Sequence, residues 1–484
     1  MPQTDAEEIE YIKSMVGKYF PIYDVKVSYE ALTLYINPVE ATLEKDFEAL
    51  RQDMDTKKYI PALRTQMGEH VIQIVKRPEM KTRSIWVNRV MLVATFISTV
   101  FAGAFLWSGY QGIDLFDPSS FLWGAIFFSI PLLSILGVHE TGHYLMSKRH
   151  GVDASLPFFI PSVPPLGTFG AFISMRDPMP NRRALLDIGV AGPLAGLAVT
   201  VPVTILGLFL TAQGDVQSGA LGPQGGIGLN LQPLFMLFTF LVPLPEGVAL
   251  HPTAFAAWVG FLVTAINLLP AGQLDGGHIA RALLGDNARY LSYLTIGALF
   301  IMGLFFSGWL FFAIIILFLG LRHPPPLNDI TTLGVKRKVV GAVALIILAT
   351  TFVPVPVVEI TPDQSFDLAV QGDNETTGHP GEVVQFHLTI NNTGNTDSRI
   401  QMNVEEVPAG WGAVIFPTGQ SPENATNSLE FQLPHEGQEE LTLQVQVQED
   451  ALPGNRTLML ETASYGEGSD AYQENSDHFT VTVL

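Results

Sequence analysis

The chain contains no cysteine, so no disulfide, thiolate nucleophile or cysteine-ligated metal can belong to its chemistry, and cysteine usage says nothing of redox compartment. Charge is scarce too. Only 15% of the 484 residues are charged against 48% hydrophobic, too few for an ordinary soluble protein, and the length allows two or three domains. Basic residues are scarcest, 26 against 46 acidic, and nowhere do they form the aromatic-studded stripe that nucleic-acid binding uses; no nucleic-acid partner is expected. The opening MPQTDAEEIE is charged and helical in pattern, and no signal peptide is expected there.

What is abundant is long apolar runs: 90–107, 121–145, 185–210, 253–269, 290–306, 308–321 and 339–358. Several fall short of the ~20 residues that cross hydrocarbon without tilt or thinning. The few basic residues sort them. Lys76, Arg77, Lys81, Arg83 and Arg89 precede the first run, Lys148 and Arg149 follow the second, and Arg176, Arg182 and Arg183 precede the third. Arg281 and Arg289 lie before the fifth, and Arg322, Lys336, Arg337 and Lys338 before the last. The complementary connections, 108–120, 211–252, 307 and 359–398, contain no Lys or Arg. Seven crossings therefore satisfy the positive-inside rule throughout, with the N-terminus in the cytoplasm and the C-terminal segment outside a plasma membrane. Residues 231–244, broken by Pro233 and Pro243, would reverse that order as an eighth crossing and are expected to be re-entrant or interfacial.

The expected fold is an α-helical polytopic membrane protein with a small domain at each end. Residues 1–83 follow an αββαββ pattern, which suggests a ferredoxin-like α+β domain; 84–358 form the membrane-embedded core; 359–484 alternate in strands between turns such as Pro408-Ala-Gly and Pro453-Gly, the pattern of an Ig-like β-sandwich. That last segment carries 21 acidic residues against two basic ones, Arg399 and Arg456, so nearly all of the net charge of −20 sits there. It also holds the four N-x-[ST] sequons, at Asn374, Asn391, Asn424 and Asn455, and has room for an outer ligand or partner.

The second apolar run ends in HETGH, His139 to His143. Residues four apart share a helix face, so both imidazoles can reach one Zn²⁺, with Glu140 beside them as the base that takes a proton from water. Two histidines leave such a site one protein ligand short. No Glu occurs between Glu140 and Glu246, and Met146 and Arg149 stand where an HExxHxxGxxH extension needs Gly and His. The remaining carboxylates are Asp153, Asp177, Asp187, Asp215 and Asp275. Asp275 is favoured: it follows Pro270 in a Gly-rich turn, NLLPAGQLDGGH, and the expected topology brings it to the same depth as His143. Asn267, polar within an apolar run, needs a partner and is expected to contact substrate backbone or an oxyanion, or another helix. Gly192 and Gly196, at small-xxx-small spacing, are expected to let helices approach closely. His251 is expected near the outer interface.

HExGH and NxxPxxxLDG on separate apolar runs resemble the site-2 protease family of intramembrane zinc metalloproteases. GTFGAFI, LLDIGVAGPLAG, HPTAFAAWVGFLVTAINLLPAGQLDGGH and RHPPPLND are similar to the branch of chloroplasts, cyanobacteria and archaea, which lacks a PDZ insert. The resemblance covers residues 90–329. It implies that His139, His143 and Asp275 hold one zinc ion per chain, that Glu140 is the base, that the substrate is a transmembrane helix of another membrane protein, and that the source is archaeal. A non-catalytic chaperone or adaptor on a protease scaffold, or a transporter, are the competing readings. Residues 156–175, apolar but rich in Pro and Gly, are expected to form a membrane-embedded hairpin. Its second strand, Phe169, Gly170, Ala171, Phe172, Ile173 and Ser174, would pair with an unwound substrate.

Overall fold

A computed structural model describes residues 2–28, 31–57, 59–77, 85–214, 226–244, 249–321, 323–466 and 471–484; Lys81, Arg83, Asp215 and Arg322 of the expectations above lie outside them. The chain divides into two compact units, Met1–Val216 with Asn230–Pro356, and Gln217–Leu229 with Val357–Leu484.

The first unit opens with helix α1 (Pro2–Val16), strands β1 (Ile22–Val27) and β2 (Leu32–Ile36), helix α2 (Leu43–Asp55), and strands β3 (Tyr59–Gln66) and β4 (Glu69–Lys76). The strands form an antiparallel sheet of order β1-β2-β4-β3. In α2 the apolar residues recur at helical spacing, Leu43, Phe47, Leu50 and Met54, and all four are buried. They pack on the inward positions of β2 and β4, Leu34 and Ile72 among them. This core draws on a distant piece of chain: Leu327 is buried in it and Ile330 packs against it. Leu327 lies in a strap whose backbone is held on both sides. The Leu63 amide donates to the Leu327 carbonyl, and the amides of Leu327 and Asn328 donate to the carbonyls of Met179 and Pro180.

Among the described residues three helices are long and apolar enough to cross a membrane. They are α3 (Ile85–Gln111); α4 (Pro118–Gly124), which runs on through one wider π-type turn into α5 (Ile130–Arg149); and, after a hairpin of β5 (Phe158–Pro161) and β6 (Thr168–Phe172), α6 (Arg182–Gln213). Two starts are capped in the usual way: Asp117 accepts from the Ser119 amide ahead of α4, and Asn181 from the Ala184 amide ahead of α6. Shorter helices follow: α7 (Pro233–Thr239), α8 (Pro252–Leu268), α9 (Asp275–Leu284), α10 (Ala288–Met302), α11 (Gly308–Leu319) and α12 (Val335–Thr351). The last apolar run was expected to continue to Val358, yet its helix ends at Thr351. Pro354 and Pro356 cannot donate to a helical ladder, and Val357 enters a strand.

In the second unit β7 (Gly226–Leu229) pairs with β8 (Val357–Ile360). Strands β9 (Phe366–Val370), β10 (Glu375–Gly378), β11 (Val383–Asn392), β12 (Ser398–Glu405), β13 (Gly412–Pro417), β14 (Ser428–Leu433), β15 (Gln438–Gln446), β16 (Gly454–Tyr465) and β17 (Ala471–Val483) make the β-rich C-terminal region. They form two sheets, of order β10-β17-β16-β12-β14 and β13-β15-β11-β9. Alternation sends Phe386 and Leu388 of one sheet and Leu460, Phe479 and Val481 of the other into a shared core.

Candidate metal centre

His139 and His143 lie four apart on α5, on the face turned to α6, and are only 3% and 4% exposed. Asp275 is the first residue of α9 and reaches them because the chain turns sharply after α8, with Gly272 in the left-handed region at φ 55°. The three polar atoms form a triangle. His139 Nε2 and His143 Nε2 are 3.2 Å apart, and Asp275 Oδ2 is 3.2 Å from the first and 3.1 Å from the second. Three ligand atoms of a tetrahedral ion at ~2.0–2.1 Å would stand roughly 3.3–3.4 Å from one another, so these residues fit a metal ion. Among the described residues they are the one His/Asp/Glu cluster of that kind.

The neighbouring groups fix the ligands in the state a metal needs. His143 Nδ1 donates to the Ile188 carbonyl at 2.8 Å, which keeps the proton on that nitrogen and leaves the lone pair of Nε2 toward the centre. Asn267, half-buried near the end of α8, sets its Nδ2 3.3 Å from His139 Nε2. Glu140 is buried beside the cluster with Oε1 4.0 Å from His139 Nε2, and the backbone amide of Ile173 lies against its carboxylate.

Helix α6 makes room for the rings. A Cβ on Gly192 would stand 2.0 Å from His143 Nε2, and one on Gly196 3.1 Å from His139 Nδ1. The small-residue spacing expected to serve helix packing thus admits the ligand imidazoles themselves.

Residues 127–311 match the model of peptidase family M50. That segment is similar to an M50 peptidase domain. Similar proteins include the probable zinc metalloprotease EGY1, chloroplastic, of Arabidopsis thaliana, 35% identical over 46% of this chain and 42% of that protein. The probable zinc metalloprotease EGY2, chloroplastic, of Oryza sativa subsp. indica is 33% identical over 45% of this chain and 40% of that protein. The chain thus spans less than half the length of these relatives. Among solved structures, a family 123 glycoside hydrolase from Clostridium perfringens covers 25% of this chain at 7% identity and a TM-score of 0.19, a likeness that carries no argument.

All five polar residues of the centre, His139, Glu140, His143, Asn267 and Asp275, fall inside the M50 segment. Among the described residues, the other carboxylates weighed as ligands are engaged elsewhere. Asp153 pairs with Arg176, Asp177 with Arg77, and Asp187 with His150 and Arg337. His251 caps α8 at the end remote from Asn267, about 24 Å away at helical rise, and packs edge-on against Trp107, Tyr110 and Phe127. His278 Nδ1 donates to the Leu274 carbonyl, and its ring stands against His323.

The hairpin within the segment that matches M50 pairs Phe158 with Phe172, Phe159 with Ala171 and Ile160 with Gly170. Strand β6 ends at Phe172, one residue short of Ile173 and two short of Ser174, the expected end. Its facing can be followed along the chain. Arg176 N donates to Asp153 O and Ser155 N to Ser174 O, and the extra residue of the irregularity that follows lies on the 156–157 side. Alternation then turns the backbone of Phe172 toward β5 and that of Ile173 and Ala171 away from it, and the Ile173 amide indeed meets Glu140. On its other flank β5 meets α3, where Asn88 Nδ2 donates to the carbonyls of Leu156 and Pro157 and Ser98 Oγ to that of Gly167. The sequence offered no signal for the Ile188 carbonyl, because a backbone acceptor has no residue type.

Proposed function

We propose that this chain is a zinc-dependent intramembrane endopeptidase that hydrolyses a peptide bond in or near a transmembrane helix of another membrane protein, in regulated intramembrane proteolysis. The observation that carries the reading is the 3.1–3.2 Å triangle of His139 Nε2, His143 Nε2 and Asp275 Oδ2, with a buried carboxylate beside it, its two histidines on a helix long and apolar enough to cross a bilayer. His139, His143 and Asp275 hold the ion, one per chain. When bound, zinc supplies Lewis acidity and lowers the pKa of water toward neutrality.

Glu140 accepts the proton of the attacking water and returns it to the leaving amine. The Asn267 amide, next to His139, donates to the carbonyl oxygen as it gains charge. A substrate helix hides its carbonyls in its own hydrogen bonds, so it must unwind, and backbone stranded in lipid needs new partners. The free edge of β6, Phe169 to Ile173, offers them by strand addition. Among the described residues no strand pairs with that edge. The N-terminal domain lies in the cytoplasm of a plasma membrane, seven crossings follow, and the C-terminal β-sandwich is outside, where it binds an outer ligand or partner. The source is archaeal.

The full chain reconstituted in liposomes with a single-span substrate tests this. Wild type should hold one zinc per chain and cleave; Glu140→Gln should keep the zinc and lose at least ~10²-fold in cleavage rate. A wild type that binds zinc without cleaving any panel of single-span substrates would favour the adaptor reading.

A further inference from the structure

Asp187 lies where three helices meet. Its carboxylate accepts two hydrogen bonds from one guanidinium, Arg337 Nε to Oδ1 at 2.8 Å and Nη2 to Oδ2 at 2.7 Å, and stands 3.0 Å from His150 Nε2. His150 closes the C-terminus of α5, with six residues, 144–149, between His143 and the cap; Asp187 is in the second turn of α6; Arg337 is in the first turn of α12. The carboxylate is only 19% exposed, and the fork is the bidentate arrangement that fixes orientation as well as charge. The residue after Asp187 is Ile188, whose carbonyl accepts from His143 Nδ1. The clamp therefore holds the peptide that orients a ligand ring, and it ties that peptide to the end of the helix carrying the ring.

We infer that Asp187, gripped by Arg337 and His150, is a positioning residue of the metal centre, setting the Ile188 carbonyl against His143 so that Nε2 points to the ion. The inference rests on the metalloprotease reading. It deepens it by naming a part of the site that touches neither metal nor substrate. Losing the carboxylate leaves Arg337 and His150 without their shared acceptor and frees the α5–α6 junction to shift.

Asp187→Asn preserves shape but removes the charge and the bidentate acceptor. In the purified full chain we expect a ~10–100-fold loss of Zn²⁺ affinity in chelator competition, an altered visible spectrum of the Co²⁺-loaded protein, and a fall in kcat with little change in KM. Arg337→Lys, which keeps the charge but loses the fork, should fall between wild type and Asp187→Asn in affinity. It also serves if Asp187→Asn does not fold. Wild-type Zn²⁺ affinity and an unaltered Co²⁺ spectrum in Asp187→Asn, or in Arg337→Lys where only that variant folds, would overturn the inference even if thermal stability dropped. A wild-type chain that binds no zinc at all would instead sink the metalloprotease reading beneath it.

Discussion

Replacing Gly192 by alanine puts the most crowded point of the centre to the test. The new methyl carbon would stand 2.0 Å from His143 Nε2, about 1.4 Å inside the 3.4 Å at which ordinary contact begins. Something must move by that amount. Helix α6 is not free to back away from α5, because it is also packed closely on α8: a Cβ on Gly207 would stand 2.4 Å from the Ala254 amide nitrogen and one on Gly260 3.0 Å from Thr200 Oγ1. The ring is the freer body, yet its Nδ1 is tied to the Ile188 carbonyl at 2.8 Å. Displacing Nε2 by more than 1 Å breaks a triangle whose edges are 3.1–3.2 Å, whereas metal–ligand distances tolerate only ~0.2 Å. Overpacking costs about 1–3 kcal/mol of stability, offset by up to ~1 kcal/mol of helix propensity gained over glycine. The chain should therefore still fold while its zinc affinity falls by more than the ~10–100-fold typical of disturbing a ligand's outer partner. Gly196→Ala, at 3.1 Å from His139 Nδ1, should cost far less, and Gly297→Ala, with nothing within 4 Å, should be neutral. Zinc per chain by elemental analysis and affinity by chelator competition give the ranking. Stoichiometric zinc at wild-type affinity in Gly192→Ala would show that the site tolerates the overlap and that this account of the glycine is mistaken.

Alanine at His139, His143 or Asp275 should each abolish stoichiometric zinc; full zinc in Asp275→Ala would return the third-ligand role to another carboxylate. Ala171→Pro removes an outward-facing backbone donor from the free edge of β6 and should slow cleavage with zinc retained, whereas Phe172→Pro, whose amide faces β5, should disturb the hairpin itself; normal turnover by a folded Ala171→Pro would remove that position from the substrate edge. In the N-terminal domain Tyr59 donates to Glu8; burial, and then this bond, push the phenol up to about 12, and the bond holds the Glu8 carboxyl below its ordinary value. The bond therefore supports the domain between the two titrations, and its contribution is lost as pH rises from 10 to 12 and as it falls through the Glu8 carboxyl range. Tyr59→Phe should make amide exchange in α1 and β3 faster at pH 7 and erase that alkaline dependence; unchanged exchange would show that the contact contributes nothing.

The grouping of His139 with His143 was legible because the chemistry of the motif is local. Spacing of four puts two histidines on one face, and a polar residue in an apolar run is too costly to be idle. Asp275 needed more, an assumption about topology that brought it to the depth of His143. The clamp at Asp187 was beyond reach: its partners are 37 and 150 residues away, and each of the three reads by itself as an ordinary charge at a helix end. Gly192 and Gly196 carried a visible spacing, but spacing alone does not say whether a backbone or an imidazole fills the gap. Residues 352–358 were misjudged because hydropathy counts side chains and is blind to the missing amides of Pro354 and Pro356.

The strap through Leu327 bears on how the chain is made. The N-terminal domain buries a side chain that leaves the ribosome about 250 residues after its own last strand, a delay of roughly 12–50 s at ~5–20 residues per second. Until then β3 has an open edge and the core a gap where Leu327 belongs. A chain that stalls or is cut before the strap carries a first domain that cannot close, with apolar surface for a holdase or protease to find. Completion of that domain thus reports that the whole metal-binding portion has already been synthesised.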